Sequence, residues 1–149
     1  MIKSINNKDK EVAKKIYSIF QSAYKIEAKL LNVTDFPPLE RTVNNFISSN
    51  NTFFAYFNHT VILAIIEIDC QNISTHIQSL VVDPSEFRKG IARKLTNYIL
   101  KNYKSQLFTV ETGLNNVPAI QLYKSIGFQE IKRWQTDHGV IKIRFEKYR

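Results

Sequence analysis

Apolar residues recur three or four positions apart between about Lys8 and Leu31, the spacing that places them on one face of an amphipathic helix. Asn7 precedes this stretch and is a candidate for the N-cap, since its side chain can accept a bond from a first-turn amide. The helix must end within residues 32–38, because the paired prolines at the end of this segment donate no backbone hydrogen bonds. A second, short helix is predicted from about Leu39 to Ser48.

Aromatic and β-branched residues dominate the segments that follow, and they predict strands that alternate with helices in the second half of the chain. The predicted strands are Thr52–Phe57, Thr60–Asp69, Thr75–Asp83, Gln106–Glu111, Phe128–Gln135 and Val140–Tyr148. Helical spacing returns after Gly90 and again over Val117–Ile126. This order of elements predicts a mixed α/β sandwich built around one sheet.

The chain has 149 residues, which suits one domain spanning 1–149. Its formal net charge is +8, which favours anionic partners such as phosphorylated cofactors, nucleic acid or acidic membrane surfaces. Cys70 is the only cysteine, which excludes an intrachain disulfide and a multi-cysteine zinc site, so no metal is expected. The single cysteine and the lack of a long apolar stretch lead us to expect a cytoplasmic protein that neither spans nor binds a membrane.

A strand followed by a short basic loop and a helix is the most informative segment. Leu80, Val81 and Val82 form the end of the predicted strand, and the loop that follows carries Arg88, Lys89 and Gly90. The first turn of a helix presents unpaired amides and the positive end of the helix dipole, which together bind phosphate groups. Glycine allows the backbone to approach such an anion closely. A surface turn with solvated cations is the alternative interpretation of this segment.

The second segment has the spacing Asn-x-x-Ala-x-x-Leu-Tyr-x-x-x-Gly-Phe, from Asn116 to Phe128. Asn116 and Tyr123 are seven residues apart, so they share one helix face. The Tyr123 hydroxyl is then free to form hydrogen bonds, although a tyrosine at the rim of the core would explain the same position.

Together the two segments resemble the GNAT superfamily of acetyl-CoA-dependent N-acetyltransferases. The resemblance implies a mixed, mostly antiparallel central sheet flanked by helices, with a splayed parallel strand pair that binds the cofactor. The family's phosphate loop is usually Gln/Arg-x-x-Gly-x-Gly/Ala, and Gly90 and Ala92 match it. Phe87 occupies the Gln/Arg position, which removes one side-chain contact to phosphate and leaves the backbone amides and Arg88 to bind it.

The resemblance also implies which residues bind acetyl-CoA. The backbone of the strand end would bind the pantetheine arm, the loop amides would hold the pyrophosphate, and the second segment would lie near the thioester. The implied cofactor-binding residues are Leu80, Val81, Val82, Arg88, Lys89, Gly90, Ile91, Ala92, Arg93, Asn116 and Tyr123.

Acylation of an amine requires removal of a proton from the amine, a donor for the carbonyl oxygen and a proton for the departing thiolate. Tyr123 is the candidate acid, and a backbone amide near Leu80–Val82 is the candidate oxyanion donor. His76 is a candidate base, because it lies fourteen residues before Gly90, where some members of the superfamily place a catalytic Glu or His. Glu111 and Glu67 are alternatives, and direct attack with water as the proton relay would need none of the three.

The loop between the first two helices commonly lines the acceptor site in this superfamily, and acids there would suit an amine. Glu27, Asp35 and Glu40 are therefore candidate acceptor contacts. The expected acceptor is a small-molecule amine or a protein N-terminus, with no nucleic acid as partner. The oligomeric state stays open, with a homodimer as one possibility. A noncatalytic acyl-CoA sensor or a basic nucleic-acid-binding module is the alternative to an enzyme.

Overall fold

The computed structural model describes residues 1–149, which form four α-helices and seven strands. The helices are α1 (Lys10–Leu30), α2 (Val43–Ser48), α3 (Ile91–Asn102) and α4 (Val117–Ile126). The strands are β1 (Ile2–Ile5), β2 (Thr52–Asn58), β3 (Val61–Gln71), β4 (Ser74–Val82), β5 (Leu107–Gly113), β6 (Gln129–Gln135) and β7 (Ile141–Tyr148). Short 3-10 turns cover Pro37–Glu40 and Pro84–Glu86.

All strands belong to one sheet with the order β1-β2-β3-β4-β5-β7-β6. Every neighbouring pair is antiparallel except β4 and β5, which are parallel. The predicted mixed, mostly antiparallel sheet with one parallel pair is therefore confirmed. Strand β1 was not predicted from the sequence, and it pairs with β2 in the register Ile2 to Tyr56.

The first helix begins two residues later than its apolar pattern indicated. Asp9 is the N-cap, and its carboxylate accepts from the amides of Glu11 at 2.9 Å and Val12 at 3.1 Å. The prediction of Asn7 as the cap was wrong. The Asn7 side chain is buried and donates instead to the carbonyl of Phe46 at 2.7 Å, which ties the start of α1 to α2.

Two apolar clusters fill the two faces of the sheet. Helices α1 and α2 cover one face, where the rings of Phe20 and Phe46 meet edge to face with centroids 4.7 Å apart. Helices α3 and α4 cover the other, around Leu95, Ile99 and Phe108. Burial of each such side chain contributes about 1.5–3 kcal/mol. The sheet thus separates α1 from α4, and the two helices can meet only where neighbouring strands part.

None of the helices is both long and apolar enough to cross a lipid bilayer.

Candidate active site

The parallel strands β4 and β5 stay paired only at their beginnings. Their register runs from Ser74 opposite Leu107 to Ile77 opposite Val110. Beyond this point β4 pairs only with β3, while β5 continues along β7. The strands therefore splay, and the second half of β4 has one unpaired backbone edge.

Backbone directions along β4 identify the amides on that unpaired edge. The amide of Asp83 donates to the carbonyl of Leu63 on β3 at 2.8 Å. Because the amides of successive residues point to opposite sides of a strand, the amide of Val81 also faces β3, and those of Leu80 and Val82 face the gap. The strand end predicted to bind pantetheine thus offers backbone donors where an extended ligand could add as a further strand.

A β-bulge marks the start of the splay. Ile68 and Glu67 on β3 pair with Ile77 and Ser79 on β4, so Gln78 is an extra residue in the ladder. The bulge turns the Ser79 side chain towards the face that α1 covers, next to Tyr24. The splay therefore opens beside α1.

The loop after β4 forms a cradle of backbone amides at the start of α3. Gly90 caps the helix with φ +76°, and the first intrahelical bond runs from the Lys94 amide to the Gly90 carbonyl at 3.1 Å. The three preceding amides, Ile91 to Arg93, have no carbonyl partner within the helix. Arg88 also has a positive φ, +66°, which shows that the tight turn begins before the glycine.

The residues of this cradle suit a diphosphate. A methyl group at Gly90 would meet no atom within 4 Å, so the space beside the cradle is open. Of the loop cations, Lys89 pairs with Glu86 at 2.7 Å and Arg93 donates to Ser125 at 2.7 Å, while Arg88 is exposed. Unpaired amides, a helix N-terminus and one exposed arginine together fit the phosphate groups of coenzyme A.

Tyr123 lies on the inner face of α4 and is only 4% exposed. Its ring packs against Phe128 and Phe145, with centroids 5.7 and 6.0 Å away. Burial raises the pKa of the Tyr123 hydroxyl, and the nearby groups Tyr24 and Glu27 raise it further. The hydroxyl is therefore protonated at neutral pH and able to act as a donor. Tyr24 and Glu27 both belong to α1, on the other face of the sheet.

Glu27 on α1 and Asn116 at the N-cap of α4 meet through the splay. The side-chain amide nitrogen of Asn116 donates to Glu27 Oε1 at 2.8 Å, and the side-chain oxygen accepts from the backbone amide of Ala119 at 3.3 Å. Burial raises the pKa of Glu27 to about 7, against the opposing effects of the Lys142 cation and the Asn116 hydrogen bond. A carboxyl group with this pKa exchanges its proton near neutrality.

The other carboxylates on this face are neutralised by arginine. Glu67 is fully buried and receives two bonds from Arg41, at 2.7 and 3.0 Å. Glu111 is held by Arg144 at 3.3 Å. Each of these two carboxylates has an arginine partner, so neither could take up a proton as a base without breaking an ion pair.

His76 lies in the paired part of β4, before the splay. Its Nδ1 is 2.7 Å from the Thr109 hydroxyl on β5. Burial lowers the pKa of His76, so the imidazole is neutral at pH 7. Its protonation state would suit a base, and it lies one residue before Ile77, the last residue of β4 that pairs with β5.

The remaining predicted acceptor contacts lie at the surface. The Asp35 carboxylate is 3.2 Å from His138 Nδ1, which joins the loop after α1 to the β6–β7 turn. Glu40 is exposed at the end of the 3-10 turn. Of the three predicted acids, only Glu27 thus reaches the interior of the site.

Sequence reasoning missed Tyr24, which the structure places in the site. Its ring packs against Phe36 at 5.8 Å, and burial raises the pKa of its hydroxyl, with Glu27 as the second cause. The available signal was its position three residues before Glu27, since residues three apart share a helix face.

The sequence matches the model of the acetyltransferase (GNAT) domain over residues 27–149. The UPF0157 protein YqkA of Bacillus subtilis strain 168 is 28% identical over 149 residues, which cover 99% of this chain and 43% of that protein. The chain thus spans less than half the length of this curated relative.

Two solved structures share the fold. The ribosomal-protein-S18-alanine N-acetyltransferase of Escherichia coli superposes with a TM-score of 0.79 at 21% identity, covering 99% of this chain and 92% of the other. YncA of Salmonella typhimurium, solved with acetyl-CoA, gives a TM-score of 0.78 at 13% identity with the same coverages.

Proposed function

Because the chain belongs to the GNAT acetyltransferase family, we propose that it transfers the acetyl group of acetyl-CoA to a primary amine. The observation that carries this proposal is the combination of a splayed β4 edge with an amide cradle at the start of α3. The two features are joined by one short loop, so a single extended ligand with a diphosphate can engage both.

Two groups of the predicted cofactor-binding residues have a physical role in this proposal, while the amide of Val81 faces β3. The outward amides of Leu80 and Val82 bind the pantetheine arm, and the amides from Arg88 to Arg93 bind the diphosphate. Acetyl-CoA supplies an activated carbonyl and a thiolate leaving group. One gap-facing amide of β4 then stabilises the charge that develops on the carbonyl oxygen.

Tyr123 is proposed as the acid that protonates the departing sulfur. Its buried hydroxyl keeps its proton at neutral pH, which is the state an acid requires before the reaction. His76 and Glu111 stay candidates for the base on sequence grounds, and Glu27, Asp35 and Glu40 for contacts with the cationic acceptor. The Glu27 carboxyl inside the site supports an amine acceptor, either a small-molecule amine or a protein N-terminus.

Calorimetry with coenzyme A, followed by a coenzyme A release assay across an amine panel, tests the proposal. The panel comprises spermidine, kanamycin and an alanine-initiated peptide. We expect coenzyme A binding and turnover of at least one amine. Binding without turnover across a wider panel would favour an acyl-CoA sensor, and salt-dependent affinity for RNA or DNA without coenzyme A binding would favour a nucleic-acid-binding module.

A further inference from the structure

We propose that Glu27 is the base that removes the proton from the acceptor ammonium, and that Asn116 positions its carboxylate. This inference rests on the proposed acetyl transfer, and it changes the role of Glu27 from a substrate contact to a catalytic residue. Four observations support it: the position of Glu27, its lack of an ionic partner, its burial and its link to the candidate acid.

The position of Glu27 follows from the placement of α1 and α4 on opposite faces of the sheet. Glu27 lies on α1, which covers one face of the sheet, and Tyr123 lies on α4, which covers the other. Their side chains interact through the gap between β4 and β5, close enough for Glu27 to perturb the Tyr123 hydroxyl. A base and an acid on opposite sides of this gap flank the place where a thioester lying along β4 would meet an amine.

The electrostatic environment distinguishes Glu27 from the other candidates. Glu67 and Glu111 are each held by an arginine, at 2.7 and 3.3 Å. The only hydrogen bond to the Glu27 carboxylate comes from the neutral side-chain amide of Asn116, at 2.8 Å. Glu27 is thus the carboxylate at the splay whose protonation breaks no ion pair.

The groups that face Glu27 come from three elements. Tyr24 lies beside it on α1, Asn116 and Tyr123 face it from α4, and Lys142 faces it from β7. Burial disfavours the anion, while Lys142 and Asn116 favour it, and the balance sets the pKa near 7. A base with this pKa combines an available deprotonated state at neutral pH with a high affinity for the proton.

An ammonium acceptor has three protons, of which one stays on the amide product. Glu27 takes the first before the attack and releases it to solvent. The nitrogen lone pair then forms the C–N bond, and the C–S bond breaks with its electron pair on sulfur. Tyr123 protonates the sulfur, and the second proton from the nitrogen restores the Tyr123 hydroxyl.

The first test uses Glu27→Gln with Glu11→Gln as the matched control, since Glu11 is an exposed acid on the same helix. The substrate is the amine of the panel with the highest wild-type rate. We expect Glu27→Gln to lower kcat/KM at pH 7 by about 100-fold or more, the low end of acid–base contributions. The acidic limb near pH 7 disappears, while coenzyme A affinity and the control variant stay at wild-type values.

A second readout requires no acceptor. The pKa of Glu27 is raised on folding, so the protonated group stabilises the fold at low pH and this stabilisation is lost as pH rises through 7. Thermal unfolding should therefore give Glu27→Gln and wild type similar Tm values at pH 5, with the variant higher at pH 8. The Glu11→Gln variant should show no such divergence.

Asn116→Asp tests the positioning role, because aspartate keeps a good helix N-cap while placing a second carboxylate beside Glu27. The acidic limb should move to higher pH, an effect that loss of helix stability alone would not produce. A Glu27→Gln rate within tenfold of wild type, or a Tm difference that does not change with pH, would overturn the assignment. Failure of wild type to bind coenzyme A would instead overturn the proposed function itself.

Discussion

A pair of glycines with the same left-handed backbone conformation tests whether the cradle at α3 binds a diphosphate. Gly90 has φ +76° and Gly139, in the β6–β7 turn, has φ +78°. An added Cβ meets no atom within 4 Å at either position, so an alanine at either site carries only the conformational cost. That cost is about 1–2 kcal/mol for an L-residue in the left-handed region.

The two variants should lose similar stability and differ in ligand affinity. For a chain of this size each kcal/mol lowers Tm by about 2–4 °C, so both substitutions should lower Tm by roughly 2–8 °C. At position 90 the strained backbone relaxes towards negative φ, which turns the amides that follow away from the cradle. Loss of one hydrogen bond to a charged group costs about 1.5–3 kcal/mol, which is tenfold or more in Kd.

Differential scanning fluorimetry measures the two Tm values, and isothermal titration calorimetry measures the coenzyme A affinities. We expect Gly90→Ala to raise the Kd at least tenfold and Gly139→Ala to leave it within about twofold of wild type. If Gly90→Ala loses the expected stability but binds coenzyme A as wild type does, the diphosphate lies elsewhere and the assignment of the cradle is wrong.

Three further substitutions test the site and its frame. Tyr123→Phe keeps the buried ring and should lower turnover by about 100-fold while coenzyme A affinity is retained, and unchanged turnover would remove Tyr123 from the acid role. His76→Ala should keep the acidic limb of the pH–rate profile, because His76 is bound to Thr109 in the paired part of β4, and loss of that limb would identify it as the base. Arg41→Ala leaves the buried Glu67 without its ionic partner and should cost about 3 kcal/mol in urea denaturation, whereas a loss below about 1 kcal/mol would mean that water solvates this carboxylate.

Local patterns of apolar residues predicted most of the helices and strands, because the apolar residues of each element form its buried face. The predicted helix Val117–Ile126 has the same bounds in the structure, since Asn116 caps it and Gly127 ends it with φ +108°. The strand β1 was missed because it has four residues and owes its structure to pairing with β2. Asn7 and Asp9 are both good N-caps, and the contact of Asn7 with Phe46 decides between them.

The candidate site was predicted only where its residues are close in sequence. The cradle and α4 each lie within one short segment, so motif spacing was sufficient to identify them. The Glu27–Asn116 hydrogen bond joins residues 89 apart, and it depends on α1 and α4 meeting through a gap that only the strand register reveals. Without that register, Glu27 could be assigned no more than a general role as an acid near the acceptor.

The strand register also distinguishes the environments of three glutamates whose partners the sequence alone does not show. Glu67 on β3 lies where Arg41 reaches it, and Glu111 on β5 lies directly opposite Arg144 on β7. Each of these acids forms an ion pair with an arginine that joins two elements around the site. Glu27 has only an amide for a partner, and its burial destabilises the anion near neutral pH. Burial of the Glu27 carboxylate weakens the fold, and the same burial lets the carboxylate take up a proton near neutral pH. A group of this kind suits a site of proton transfer better than a structural position in the sheet.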